Sequence, residues 1–309
     1  MFLTARQSRI RRQVYTAGGG KRQRCAFTLV ELIVVTSIIA LLTAILIPTV
    51  ATVRRQARAL VSMNNLKEIT AAVGTFASDN AQRYPPSVAT VGMAESWNWQ
   101  EPTMLTGYLK RTPALHRSIS AYLHAYIDDA DVMFCPSAPA KYKYRQEAWD
   151  AGDDWDHPET SAVPDPVVGT YCFYWNYVGF LADVNSLFIG PSGPARGYRE
   201  SSIVVTDYFG YDCWRCQAAY GSCERLPGAQ VADGTSMSSA YWSCSGSNTA
   251  KERDGFVVRL QAAYVDGHVE SYSPAETRPM KVILNPRTGE PYPDDTHKGT
   301  FYIPRMGVR

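Results

Sequence analysis

Beyond residue 27 the sequence holds six cysteines, Cys135, Cys172, Cys213, Cys216, Cys223 and Cys244. Thiolates can close disulfides, hold a soft metal ion or exchange with other thiols. Cys213-x-x-Cys216 with Cys223 and Cys244 would suit a four-thiolate zinc site. An even number of cysteines in an exported domain, with no second C-x-x-C, favours disulfides, and sequence alone does not choose their pairing. A redox dithiol at Cys213-Trp214-Arg215-Cys216 would need a strand–helix context that these residues lack. Carboxylates cluster at Asp128, Asp129 and Asp131, at Asp150, Asp153, Asp154 and Asp156, and at Asp294 and Asp295. None has EF-hand spacing, and solvated loops gather carboxylates just as readily. The five histidines (His116, His124, His157, His268, His297) are scattered. His268 follows a turn and reads as structural. There is no G-x-S-x-G, H-E-x-x-H or P-loop, since Gly18-Gly19-Gly20-Lys21 lacks the spacing. No enzyme is expected. Trp97-Asn98-Trp99, Tyr142-Lys143-Tyr144, Trp149 and Trp155 could stack on sugars or on a protein, or simply close a loop-rich head.

One acid stands apart from all of these. The run from Phe27 to Val50 carries a single charge, Glu31. As a helix its 24 residues would extend about 36 Å, enough for a bilayer core of roughly 30 Å. An unpaired acid there costs about 2.5–3.5 kcal/mol, so Glu31 needs a partner. A buried core helix, a plain signal anchor and a secretory signal cleaved at Thr49-Val50-Ala51 are alternatives, but each leaves Glu31 unexplained.

Composition is that of a folded chain: 309 residues, 45% apolar, 12% aromatic and 19% charged. That excludes a wholly disordered chain and a polytopic membrane protein. The net charge of +2 hides an asymmetry, because Arg6, Arg9, Arg11, Arg12, Lys21, Arg22 and Arg24 precede the apolar run with no acid among them. The rest of the chain carries 24 basic against 29 acidic residues, a balance of −5, so no nucleic-acid partner is expected. The basic leader predicts a cytoplasmic N-terminus and a single pass, with the remainder outside.

Ala26-Phe27-Thr28-Leu29-Val30-Glu31-Leu32 after a basic leader resembles the cleavage and methylation motif of type IV prepilins and type II secretion pseudopilins. Counted from Phe27, Glu31 is the fifth residue and Pro48 the twenty-second, where pilins commonly carry a proline. Ala26 stands where the family has glycine. The resemblance implies cleavage between Ala26 and Phe27 by a prepilin peptidase and N-methylation of Phe27. It implies storage in the inner membrane, then entry into a type II secretion or type IV pilus-like filament in the periplasm or at the cell surface. There Glu31 would pair with the Phe27 amine of a neighbouring subunit, since two such buried charges are tolerable only together. Pro48 is expected to kink or loosen the helix at the membrane exit. Some pseudopilins bind calcium in a C-terminal loop, which makes Asp294 and Asp295 the candidate Ca2+ ligands here.

After Pro48 the helical pattern continues through Val53, Ala57, Leu60, Leu66, Ile69, Val73 and Phe76, giving one rod over about residues 27–78. Met63-Asn64-Asn65-Leu66-Lys67-Glu68-Ile69 and Arg83-Tyr84-Pro85-Pro86 resemble a large-head pseudopilin-like subgroup. So do Phe134-Cys135-Pro136-Ser137, Tyr174-Trp175-Asn176, Val204-Val205-Thr206-Asp207 and Tyr264-Val265-Asp266-Gly267-His268-Val269. That subgroup often has a histidine ten residues before the Asp-Gly; here Phe256 stands there. Residues 106–127 read as one or two helices, with Leu115, Ile119, Leu123 and Ile127 on one face. Strands are expected at 132–134, 169–174, 202–206, 256–260 and 262–265, and a hairpin at Asp266-Gly267.

The expected class is α+β: a long N-terminal helix on an antiparallel sheet with long loops. The domains are a leader (1–26), a transmembrane and assembly helix (27–50), an amphipathic helix with a Tyr-Pro turn (51–86) and an extracytoplasmic head (87–309). The head is large for a major pilin, which points to a minor or specialised subunit. A membrane-anchored binding protein for glycans or proteins that does not polymerise is the alternative, and a secreted hydrolase comes after it.

Overall fold

The structure, a computed structural model, describes residues 28–90, 101–106, 116–138, 142–156, 158, 167–212, 217–224, 229–231, 242–244, 256–282 and 300–307. Its first element is α1 (Leu29–Asp79), 51 residues in one run. Pro48 lies inside it and does not end it, although a proline removes one i→i−4 hydrogen bond. The chain divides into two compact units whose boundary falls within α1, between Ala51 and Thr52.

In the second unit, α1 buries Ser62, Leu66, Ile69, Val73 and Ala77, residues three or four apart that share one stripe. The stripe starts later than the sequence pattern implies. Val53 is 62% and Leu60 61% exposed, so the pattern's first turns lie outside the core. The helix ends where Ala81 and Gln82 turn left-handed (φ 54° and 61°) and the Gln82 amide returns to the Ala77 carbonyl at 2.8 Å. Asn176, itself at φ 50°, then donates to the Tyr84 and Pro85 carbonyls at 3.0 and 2.9 Å. Tyr174-Trp175-Asn176 therefore clamps the Tyr-Pro turn.

The elements that follow are β1 (Met104–Thr106), α2 (Ser120–Leu123), α3 (Arg145–Ala151), β2 (Val167–Val168), β3 (Tyr171–Phe173), β4 (Val178–Leu181) and β5 (Ser186–Ile189). After them come β6 (Ile203–Asp212), β7 (Gln217–Gly221), β8 (Ala229–Val231), β9 (Trp242–Cys244), β10 (Leu260–Tyr264), β11 (Val269–Tyr272), β12 (Thr277–Lys281) and β13 (Thr300–Pro304). Strands β1 and β2 pair with each other. The others form one sheet in the order β5-β4-β12-β13-β6-β7-β9-β8, with β3 and β10 also on β6 and β11 on β10. Each of these pairings is antiparallel, which makes the head an α+β fold with a long N-terminal helix.

Strand β6 organises the sheet, and it changes partners midway. Residues 203–207 lie between β3 and β10, whereas 208–212 lie between β7 and β13. The changeover falls at Asp207, which pairs with Tyr171, the first residue of β3.

Three expectations needed correction. Residues 132–134 are not a strand, because Ala130–Met133 forms a 3-10 turn whose start is capped by Asp129, accepting from the Asp131 amide. Of the 106–127 helices, the described residues contain only the four-residue α2, while Ser118 bridges to Thr106 as in a sheet. The face itself holds, with Ile119, Leu123 and Ile127 at most 2% exposed; Leu115 lies outside the described residues. Residues 256–259 are irregular, and the strand begins at Leu260.

Gly190 closes β5 against the Tyr174 turn, its amide donating to the Tyr177 carbonyl at 2.8 Å. A Cβ at this position would fall 1.6 Å from the Tyr174 carbonyl oxygen. Backbone stands in the way, and no side chain can swing aside. Gly190→Ala should lower stability by about 3 kcal/mol, at the upper end for overpacking, and urea unfolding would read the loss. An unchanged midpoint would show that the turn moves freely.

Candidate functional site

The described residues of the first unit present apolar surface, with one acid in the first turn of α1. Large apolar side chains from Leu29 to Ile47 are 47–74% exposed, and contiguous apolar surface on that scale marks contact with lipid or with protein. The hydroxyls that interrupt it turn back onto their own helix. Thr36 donates to the Leu32 carbonyl at 3.0 Å, Ser37 to Ile33 at 2.7 Å, Thr43 to Ile39 at 2.9 Å and Thr49 to Leu46 at 2.8 Å. In a medium without water this satisfies groups that would otherwise be costly.

Glu31 sits in the first turn of α1. Its Oε2 accepts from the Thr28 amide and from the Thr28 hydroxyl, both at 2.8 Å, and the Glu31 amide donates to that hydroxyl at 3.2 Å. This is a capping box, Thr28-x-x-Glu31. The sequence reading singled out Glu31 and missed Thr28, although the four-residue spacing carried the signal. Oε1 makes no hydrogen bond among the described residues. The helix thus orients the carboxylate through one oxygen and leaves the other for a partner. Ala26 and Phe27 lie outside the described residues, while Pro48 is on the same exposed stretch as Glu31, in the middle of α1.

In the head the cysteines separate. Cys135 and Cys223 meet: their sulfurs are 2.8 Å apart, both buried, 88 residues apart in sequence. Cys172 is buried on β3, paired in register with Thr206. Cys244 ends β9, and Cys213, Cys216, Asp294 and Asp295 lie outside the described residues. Among the described residues no three His, Cys, Asp or Glu side chains gather as metal ligands would. Several acids of the other clusters hold local structure. Asp131 pairs with Arg145, Asp150 with His124, and Asp153 with His116 and with the Arg117 and Ser118 amides.

The thiol pair belongs to a buried polar patch under α1. Cys223 donates to the Arg58 carbonyl at 3.4 Å, Asn65 reaches the Phe134 carbonyl at 3.2 Å, and Ser62 shares a hydrogen bond with the Tyr171 hydroxyl at 2.8 Å. Asp207 lies in the same patch, fully enclosed. Oδ2 accepts from the Gln261 amide at 2.9 Å, and Oδ1 has no hydrogen-bond partner among the described residues. Burial, with the nearby Cys223 sulfur, pushes the Asp207 carboxyl well above the usual carboxylate range. Burial likewise favours the neutral thiol at Cys135, whereas the hydrogen bond from Cys135 favours the thiolate at Cys223.

The remaining motif residues are structural. Asp266-Gly267 turns the hairpin between β10 and β11, Gly267 having φ 84°. His268 stacks on Tyr264 with ring centroids 4.4 Å apart and bonds to Asp266, as a structural histidine would. Phe256 packs edge-on against Phe209 at 5.7 Å, inside an aromatic cluster. Tyr142, Trp149 and Trp155 are buried and Tyr144 packs on Trp155, so these aromatics pack into the head. Trp97 and Trp99 lie outside the described residues.

Comparison with known proteins points to the same N-terminal segment. Residues 21–47 match the family described as the prokaryotic N-terminal methylation motif. Over 101 residues the chain is 32% identical to type II secretion system core protein G of Pseudomonas aeruginosa, covering 68% of that protein and 30% of this chain. No solved structure matches.

Proposed function

The chain belongs to the prepilin-like family that includes type II secretion system core protein G, and on that premise we propose that it is a minor or specialised subunit of a type II secretion or type IV pilus-like filament. A prepilin peptidase removes the basic leader between Ala26 and Phe27, and the new amine is methylated. The apolar part of α1 waits in the inner membrane with the head in the periplasm. It then leaves the lipid for the company of other pilin-like subunits. The observation that carries this reading is a single acid, held by its own cap, at the start of an otherwise apolar and exposed helix. A carboxylate in that setting is stable beside an ammonium and costly without one. The role is structural, and no catalysis is assigned.

The test is the intact mass and N-terminal residue of the protein recovered from its host's membranes. A chain beginning at methylated Phe27 is expected. A chain beginning at Thr52 would make it a secreted protein and sink the filament reading. An intact Met1 would make it a signal-anchored protein, and a non-polymerising binding role would take first place.

A further inference from the structure

The buried thiol pair has no part in that reading, yet it lies where the head holds α1. Cys135 follows the 3-10 turn that ends at Met133, and Cys223 follows β7. Separate contacts hold the two segments: the Cys135 amide donates to the Thr170 hydroxyl at 2.6 Å, and beside Cys223 the Ser222 hydroxyl donates to the Arg259 carbonyl at 2.7 Å. The two sulfurs, 2.8 Å apart, need to close by less than about 1 Å to bond. Arg58, Ser62 and Asn65 of α1 all bond to this patch.

We propose that Cys135 and Cys223 form a structural disulfide in the mature protein, fastening two distant segments of the head beneath α1. Closure in the cell rests on the export of the head proposed above; the pairing itself does not. Cys223 is the less deeply buried residue of the two, 7% exposed against 0% for Cys135. During folding its thiolate attacks a disulfide of an oxidising dithiol protein or of glutathione, expelling one thiolate and leaving a mixed disulfide. The Cys135 thiolate then displaces the second sulfur. One disulfide forms and one breaks, two electrons pass to the acceptor, and two protons leave Cys135 and Cys223 and end on its two thiols. This pairing takes Cys223 from the four-thiolate zinc set. Cys172, enclosed on β3, stays a thiol.

The test is a non-reducing peptide map of the full chain, extracted in detergent with N-ethylmaleimide present. The same map is made after reduction in urea and refolding with a glutathione disulfide–glutathione buffer. A linked peptide joining Cys135 to Cys223 is expected in both samples, with Cys172 alkylated once the protein is unfolded. Reduction should lower Tm by roughly 5–15 °C, given the long loop that the bond closes. Cys172→Ser should leave that sensitivity intact. If the link forms on refolding but both thiols are alkylated in the cell extract, the pairing stands and the export reading falls. Free Cys135 and Cys223 after refolding, or either one joined to another cysteine, would overturn the pairing. The map uses the native sequence, so a Cys135→Ser variant that failed to fold would not affect it.

Discussion

Replacing Glu31 by alanine is expected to leave the protein in the membrane, starting at methylated Phe27, while its recovery in sheared filaments falls by roughly 100- to 4,000-fold. The size follows from removing one member of a buried charge pair, which costs about 3–5 kcal/mol because the abandoned charge stays buried. Each 1.4 kcal/mol is about tenfold in an equilibrium. In lipid the variant gains stability, since the acid was expensive there; in a filament it leaves a neighbour's ammonium without a partner. Both effects shift the subunit toward the bilayer. The capping box supplies a control. Should Glu31 serve only to begin α1, Thr28→Ala would do equal damage, since it removes the hydroxyl from the same box. Loss of such a cap costs about 1 kcal/mol, so Thr28→Ala should lower recovery by no more than about tenfold. Glu31→Ala subunits that enter filaments as well as the native protein would end the charge-pair account. Equal losses from the two variants would reduce Glu31 to a cap.

How far this could be read from the sequence depended on how local each signal was. α1 was legible because an apolar run and a three-four stripe are properties of neighbouring residues. The Asp266-Gly267 turn was legible for the same reason: glycine accepts the positive φ, and the flanking strands alternate. The segment 132–134 was misread because three apolar residues in a row look like a strand, whereas the Asp129 side chain and contacts elsewhere curl it into a 3-10 turn. The stripe of α1 was overextended at Val53 and Leu60, since periodicity says which residues share a face and not where the opposing surface begins. The motif segments around Cys135 and Asp207 were noticed separately. Only the topology, with β6 changing partners at Asp207 and a chain separation of 88 residues between Cys135 and Cys223, brings them under the same part of α1. In a strand beside three apolar or β-branched residues, Asp207 reads as the polar end of an edge. Instead it is sealed in the sheet's middle, where the partner changeover leaves the Gln261 amide in need of an acceptor.

Asp207→Asn should stabilise the head, and increasingly so as the pH rises. In the folded head the acid's pKa lies well above its unfolded value, because burial and the nearby Cys223 sulfur penalise the carboxylate and Oδ1 has no donor among the described residues. The native state therefore holds its proton over a range where the unfolded chain has released it. Stability from this group is complete below the ordinary carboxyl value and is lost as the pH climbs toward the folded one. The slope is about 1.4 kcal/mol per pH unit, so from about pH 4 to pH 7 the native protein loses at most about 4 kcal/mol that the asparagine variant keeps. Asparagine retains an oxygen for the Gln261 amide and carries no charge at either end of that range. The two proteins should melt together near pH 4 and diverge by up to roughly 8–16 °C at pH 7. Every other titrating group is common to both, so the difference isolates this site. A gap that stays constant with pH would mean that Asp207 is solvated or paired. A gap that opens in the opposite direction would mean that the carboxylate is the favoured form, held by a cation in the folded head. A growing advantage for asparagine would show that the changeover in β6 is maintained by a neutral acid, burial outweighing the Gln261 hydrogen bond that favours the carboxylate.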